Sequence, residues 1–521
     1  MGALLLRHGL FITLDPSQSP NDALLLRDGR IQAVGREQEF QRLVDAEAEV
    51  LDLKGRYVLP GFIDPHLHFR ALAESLVTPR LGPDTGVTDI SRLQEKIFRE
   101  TQKFPPGTWI RASGYDDTSL AEGRDPTRFD LDPVSPLHPV KLTHRSGHAH
   151  VLNSMALKLL QITRETPDPE GGLMERDPET GEPTGVFYGH GDPFHSRIPP
   201  LPEDLLRKGV EKADGELVRN GITTFQDASV RNDRLRWLAF REWKSQGLIL
   251  SHVVVHLGWK GFEEYLADPE SFGEPLPGLT LGGVKIVIDE TLGRIAPEQR
   301  ELNEKVLAVH RAGFQAVIHA IEEPAIEAAL TAVEYAQKQY FRPDPRHRIE
   351  HASICPPHLA ERIRSLGVLV VSHPTFLYYS GDRYLKTVPP SQFPYLYPLR
   401  TLLSKGVTLA AASDAPIVPP HPWLGIYSAV TRRSQTGAEI LPEEKITLSQ
   451  ALALYTVGGA ISAFEEKEKG TLTPGKRADL VVVRENPLTM DPARLPEIKV
   501  EMTLVNGKVV YPATEALVTR R

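Results

Sequence analysis

Apolar runs recur along the middle of the chain, each short enough for one strand and most separated by stretches of helical periodicity. The first leads into Leu59-Pro60-Gly61-Phe62-Ile63-Asp64-Pro65-His66-Leu67-His68-Phe69, and seven more cover residues 221–229, 248–257, 281–289, 313–320, 348–352, 368–373 and 407–413. They are nearly continuous rather than alternating, the pattern of strands buried on both faces of a parallel sheet. Residues 299–311, 324–341 and 357–366 read as amphipathic helices; the last keeps Leu359, Ile363 and Leu366 at helical spacing, with Glu361, Arg362 and Arg364 between them. Gly221, Gly313, Gly367 and Gly406 stand at or just before the starts of four of the runs and suit the ends of the preceding helices. Eight buried strands alternating with helices predict an α/β fold, a (β/α)8 TIM-type barrel.

The polar residues near the strand ends form a second pattern. In chain order they are His66 and His68, Asp227, His256, Lys285, His319, His351, His373 and Asp414. The C-terminal face of such a barrel is where its chemistry lies. His66 and His68, two apart on a strand, point to one side, and a pair of imidazoles there is half of a metal site. Burying so many ionisable groups on one rim is costly unless they pair or bind metal.

The chain has 521 residues, 40% of them hydrophobic, and a formal net charge of −8. That length predicts an enlarged barrel domain with a further module. The charge gives no footprint for nucleic acid, and no run of about 18 apolar residues predicts a membrane span. One cysteine, Cys355, excludes an intramolecular disulfide. A cytoplasmic protein with a small-molecule substrate is the expectation, with room left for a homo-oligomer.

The constellation resembles the amidohydrolase superfamily of metal-dependent hydrolases. It is carried by His66-Leu67-His68, Gly283-Val284-Lys285-Ile286, Val317-Ile318-His319-Ala320, Ile349-Glu350-His351-Ala352 and Ser413-Asp414-Ala415-Pro416. Within the superfamily the chain is most similar to the amidohydrolase-3, or YtcJ-like, branch. That likeness adds Gly221-Ile222-Thr223-Thr224-Phe225-Gln226-Asp227, Ser146-Gly147-His148 leading into Asn153-Ser154-Met155-Ala156-Leu157, and Gly185-Val186. The resemblance implies two divalent ions, zinc being the expected one. His66, His68 and Asp414 would hold the more buried ion, and His319 and His351 the other. Lys285 would bridge them as N6-carboxylysine, made from carbon dioxide, since a protonated lysine repels a cation and has no acceptor. His148 matches a position facing the site and is a candidate substrate contact. The chain departs from the branch at Ile321-Glu322-Glu323-Pro324, at Phe187-Tyr188-Gly189-His190 and at His373, where relatives often carry Gln. His373 is open to three readings, an extra ligand, a substrate contact or a buried spectator, and substrate binding is preferred.

Two modules fall outside the barrel, which is expected over residues 59–467. The resemblance implies a small β-sandwich built from residues 1–58 and 468–521. The segments 4–14, 22–34, 48–57, 478–483 and 500–511 read as its strands, with turn signals at Asp28-Gly29 and Asn506-Gly507. The long connection after the first barrel strand is expected to carry a lid-like inserted subdomain at about residues 105–200. It holds a helix-like stretch at 88–103, a strand-like one at 109–115 and a hairpin-like one at 173–187.

The expected reaction is hydrolysis of a C–N bond in an amide, formamide, N-acyl group or cyclic amide by metal-activated hydroxide. Asp414 would shuttle the proton to the leaving amine as the catalytic residue. A mononuclear deaminase of the same superfamily is the alternative. A scaffold protein that has lost its metal is disfavoured, because all six ligand-type residues are retained.

Overall fold

Eight parallel strands follow one another around the barrel in strict chain order. They are β1 (Phe62–Leu67), β2 (Ile222–Asp227), β3 (His252–Leu257), β4 (Leu279–Val287), β5 (Ala316–Ala320), β6 (Arg348–His351), β7 (Leu369–Ser372) and β8 (Leu409–Ala411). Every residue of β1, β2, β3, β5, β6, β7 and β8 is buried, as near-continuous apolar runs require. The computed structural model describes residues 3–15, 21–40, 48–169, 172–189, 194, 196–290, 294–512 and 518–519.

The barrel closes just beyond β8. The Asp414 N–H donates to the His66 carbonyl and the His68 N–H to the Ala415 carbonyl, both at 2.8 Å. Asp64 reinforces this seam by accepting from the backbone N–H groups of His66 (3.3 Å) and Ser413 (3.2 Å). Helices Gln299–Arg311, Glu323–Gln339 and Pro357–Ser365 fall where the amphipathic stretches predict them. Gly313 and Gly367 follow two of them at φ 85° and 65°, a conformation that costs a residue with a Cβ.

Two five-stranded sheets draw on both ends of the chain. One contains Ala3–Arg7, Ala23–Arg27, Arg30–Gly35 and Glu49–Asp52; the other joins Leu10–Phe11 and Tyr57–Pro60 to Leu480–Val483, Val500–Val505 and Lys508–Tyr511. Arg27 pairs with Arg30 and Val505 with Lys508, so the two turn signals close tight hairpins. Leu6, Leu24, Ile31, Leu53, Val58, Leu480, Val482, Met502 and Leu504 share one core across the sheets.

The chain divides into two compact units. The sheets just described and the barrel belong to Met1–His68, Asp214–Ile288 and Pro297–Arg521; Phe69–Ala213 with Asp289–Ala296 form the other. The second unit is built on a five-stranded mixed sheet of Ile110–Tyr115, Val140–His144, Ala149–Leu152, Gly172–Arg176 and Pro183–Gly189. Helix Ile90–Thr101 packs on it, with Asp89 capping its N-terminus by accepting from Arg92 N–H at 2.8 Å.

A buried histidine pair ties helix Gln299–Arg311 to β5. His347 Nδ1 accepts from the Ala316 N–H at 2.9 Å, which leaves Nε2 to donate to His310 Nδ1 at 2.7 Å. His310 Nε2 in turn donates to the Tyr340 carbonyl at 2.6 Å. The chain of bonds is complete only with neutral rings, and burial holds His347 at about 3. A depressed histidine contributes stability that is fully present above its unfolded pKa and is lost as pH falls toward the folded one. Acidification from pH 7 to pH 4 therefore lowers the melting temperature. His347→Asn should cost stability at pH 7, and the gap to the parent should narrow toward pH 4; a gap independent of pH contradicts the neutral network.

Candidate metal centre

The ends of β1, β4, β5, β6, β7 and β8 bring seven chemistry-bearing side chains to one place. His66 and His68 leave β1 on the same side, their rings 5.4 Å apart. Both present Nε2 to Asp414 Oδ1, at 3.5 Å from His66 and 3.1 Å from His68. Lys285, on β4, sets its amine 3.5 Å from His66 Nε2. The His319 ring at the end of β5 lies 4.4 Å from that of His351 at the end of β6. His373 follows β7, stacks on His351 at 4.2 Å and meets the His66 ring edge-on at 5.0 Å.

Local backbone conformation aims two of these groups. His351 and Asp414 have φ of 75° and 62°, in the left-handed region that residues with a Cβ seldom adopt. Each turns the chain at the end of a strand. Strain of this kind persists only where the surroundings impose it, and it concentrates at functional sites.

Electrostatics keeps the imidazoles in their ligand form. Burial holds His66 and His351 well below the usual value and His373 at about 4. All three rings are therefore neutral at pH 7, with a lone pair available. Burial alone would raise the Asp414 carboxyl, but hydrogen bonding and charge from His68 outweigh it and keep Asp414 an anion. Burial pulls the Lys285 amine down to about 8.

The donor set fits a divalent ion. Among the described residues, His66, His351, His373 and Asp414 each offer one ligand atom, and those atoms lie within 4.8 Å of one another. All four side chains are buried, and neither ring nitrogen of His373 has a hydrogen-bond partner. Neutral imidazoles with one carboxylate are donors suited to zinc and its neighbours.

The remaining sequence candidates have contacts of their own. His256 is satisfied inside the barrel, Nε2 facing Gln226 Oε1 at 3.1 Å and Nδ1 accepting from the Gly283 N–H at 2.8 Å. Asp227 anchors the loop after β2 by accepting from Ser229 N–H (3.0 Å) and Asn232 Nδ2 (2.7 Å). His148 lies in the second unit, in the turn between Val140–His144 and Ala149–Leu152, with its N–H donating to Ser146 Oγ at 3.2 Å. His190 lies outside the described residues. Glu322-Glu323-Pro324 opens the helix after β5, with Pro324 in its first turn.

Sequence reasoning missed the support behind the ligands. Glu350 accepts from His66 Nδ1, and Arg348 Nε meets the other Glu350 oxygen at 2.6 Å. Arg348 also donates to Gln226 Oε1 at 2.6 Å and to the Pro65 carbonyl at 2.9 Å. Neither Arg348 nor Glu350 is exposed at all. A carboxylate on Nδ1 fixes the tautomer that leaves Nε2 free for a metal. Ser229 does the same positional work for His68, its Oγ 3.1 Å from Nδ1. The signal was present in Arg348-Ile349-Glu350-His351, because two charges in a buried strand must find partners.

The amidohydrolase family model, Amidohydro_3, matches residues 49–511. N-substituted formamide deformylase from Arthrobacter pascens is 30% identical over 535 residues, an alignment covering 96% of this chain and 97% of that protein. The putative amidohydrolase YtcJ of Bacillus subtilis (strain 168) is also 30% identical, over 97% of this chain and 98% of its own. The crystal structure of an uncharacterized metal-dependent hydrolase from Pyrococcus furiosus superposes with a TM-score of 0.72 at 27% identity, covering 94% of this chain and 100% of that one. With a family match over most of its length and these relatives spanning it nearly end to end, the chain belongs to the amidohydrolase family.

Proposed function

We propose that the chain is a metal-dependent hydrolase that cleaves a carbon–nitrogen bond in a small molecule: an amide, a formamide, an N-acyl group or a cyclic amide. The observation that carries this reading is the convergence of buried neutral imidazoles and the Asp414 carboxylate at the C-terminal ends of the barrel strands. N-substituted formamides are the first class to assay, because the Arthrobacter pascens relative is a deformylase of such compounds.

His66, His68 and Asp414 hold one ion in this reading, and His319 and His351 hold a second. Bound there, divalent ions, zinc by the character of the donors, supply Lewis acidity and make water a nucleophile near neutral pH. Burial pulls the Lys285 amine down to about 8, which favours its neutral form over that of an exposed lysine. In that form the amine would react with carbon dioxide and release one proton, and the resulting carbamate would add oxygen donors to the site. Asp414 accepts the proton of the attacking water at a carboxylate oxygen and delivers it to the leaving nitrogen as the C–N bond breaks. His148, carried by the second unit, is the candidate substrate contact by its place in the family pattern.

A mononuclear deaminase is the second reading, and one observation favours it. The four donors His66, His351, His373 and Asp414 form a single compact set, the size of one ion's shell. Among the described residues no helix is long and apolar enough to cross a membrane. The one cysteine, Cys355, is buried and unpaired, in keeping with a cytoplasmic enzyme.

Elemental analysis of protein purified without chelators should find close to two ions per chain. Lys285→Ala should lose the second ion and most activity. A reproducible single ion, unchanged in Lys285→Ala, selects the mononuclear reading, and a metal-free active enzyme rejects both.

Asp414→Asn should retain its fold while turnover falls by at least about a hundredfold, since the amide cannot accept the proton. Near-parental turnover removes Asp414 from proton transfer. His148→Ala should lower turnover on the same substrate with metal content and melting temperature unchanged; lost stability with intact activity would mark His148 as a packing residue.

A further inference from the structure

We infer that His373 is a metal ligand rather than a substrate contact, completing with His66, His351 and Asp414 a buried set of three nitrogens and one oxygen. The inference rests on the metal-dependent reading above, in the single-shell arrangement in which His66, His351 and Asp414 face one ion, and adds to it a ligand from the end of β7.

The first argument is the state of the ring. His373 is fully enclosed, yet neither of its nitrogens has a hydrogen-bond partner. Buried polar groups in folded proteins are almost always satisfied, and one that is not asks for a missing partner. The second argument is direction. One nitrogen of His373 lies within 4.8 Å of the ligand atoms of His66, His351 and Asp414, all four being mutually within that distance. The third argument is rigidity. The ring stacks on His351 at 4.2 Å and on Phe376 at 5.5 Å, with interplanar angles of 26° in both cases. These two ring contacts fix the plane of the imidazole, and both of its nitrogens lie in that plane.

The geometry also indicates which ion is held. Three imidazoles with one carboxylate favour zinc, cobalt or another late first-row divalent ion over magnesium or calcium, which prefer all-oxygen shells.

The test uses the full-length protein, stripped with chelator and reloaded with Co²⁺. His373→Ala and His373→Gln should each weaken Co²⁺ and Zn²⁺ binding by at least about tenfold in chelator competition. Both should change the position and intensity of the visible Co²⁺ bands, while the melting temperature of the metal-free forms stays near that of the parent. His373→Cys keeps a ligand atom and should add a near-ultraviolet thiolate-to-cobalt charge-transfer band, which a packing or substrate-contacting residue would not produce. Parental metal affinity and spectrum in the Ala and Gln variants, with no charge-transfer band in the Cys variant, overturn the ligand role alone. A parent protein that takes up neither Co²⁺ nor Zn²⁺ overturns the metal-dependent reading and this inference with it.

Discussion

A carboxylate with no exposure, Glu350, is shared between the Arg348 guanidinium and the His66 ring, and the geometry of the site depends on it. Either charge alone in the barrel interior would be expensive, and removing one would strand the other. Arg348 spreads the constraint by bonding the carbonyl of Pro65, the residue before His66, and Gln226, which in turn holds His256. One ion pair on β6 thereby sets the backbone of β1, the tautomer of its first histidine and side chains on β2 and β3. The direction in which His66 presents its free nitrogen follows from that network rather than from His66 itself.

Backbone conformation does comparable work at other positions of the cluster. Left-handed φ values at His351, Ala352 and Asp414 cost of the order of 1–3 kcal/mol each. They are offset where they occur: the Ala352 N–H bonds the Ala320 carbonyl at 3.0 Å, and the Asp414 N–H bonds the His66 carbonyl at 2.8 Å. The bonds that close the barrel are thus the ones that turn Asp414 toward the histidines. Fold stability and site geometry are linked through the same few backbone groups.

The sheets assembled from the two chain ends grip the barrel through a different set of buried polar groups. Asp479 pairs with His252, the first residue of β3, at 3.2 Å, and its carbonyl accepts from Gly61 just before β1 at 2.8 Å. Lys469 bonds Thr224 at 3.2 Å and pairs with Glu465 at 2.9 Å. His252 and Gly61 stand at the starts of their strands, whereas His66, His351 and Asp414 stand at or beyond the ends of theirs. Anchoring and chemistry are thus kept at opposite ends of parallel strands, the usual division of labour in such barrels.

Much of this was legible in the residues. Period and run length placed the eight strands, because a strand buried on both faces must be apolar along its length. Turn residues placed the hairpins, because Asp28-Gly29 and Asn506-Gly507 accept backbone angles that few pairs accept. The types of group at the strand ends announced a rim of potential metal donors. What the sequence by itself could not determine was which of those groups meet. His256 and His373 look alike as histidines at strand ends, yet one is satisfied by Gln226 and Gly283 and the other is left with two bare nitrogens among potential donors. Nor could it show that Glu350 serves His66, a residue 284 positions away. Local pattern decides secondary structure because its causes lie within a few residues. Hydrogen-bond partners, tautomers and shared metal shells are decided across strands that become neighbours only when the barrel closes.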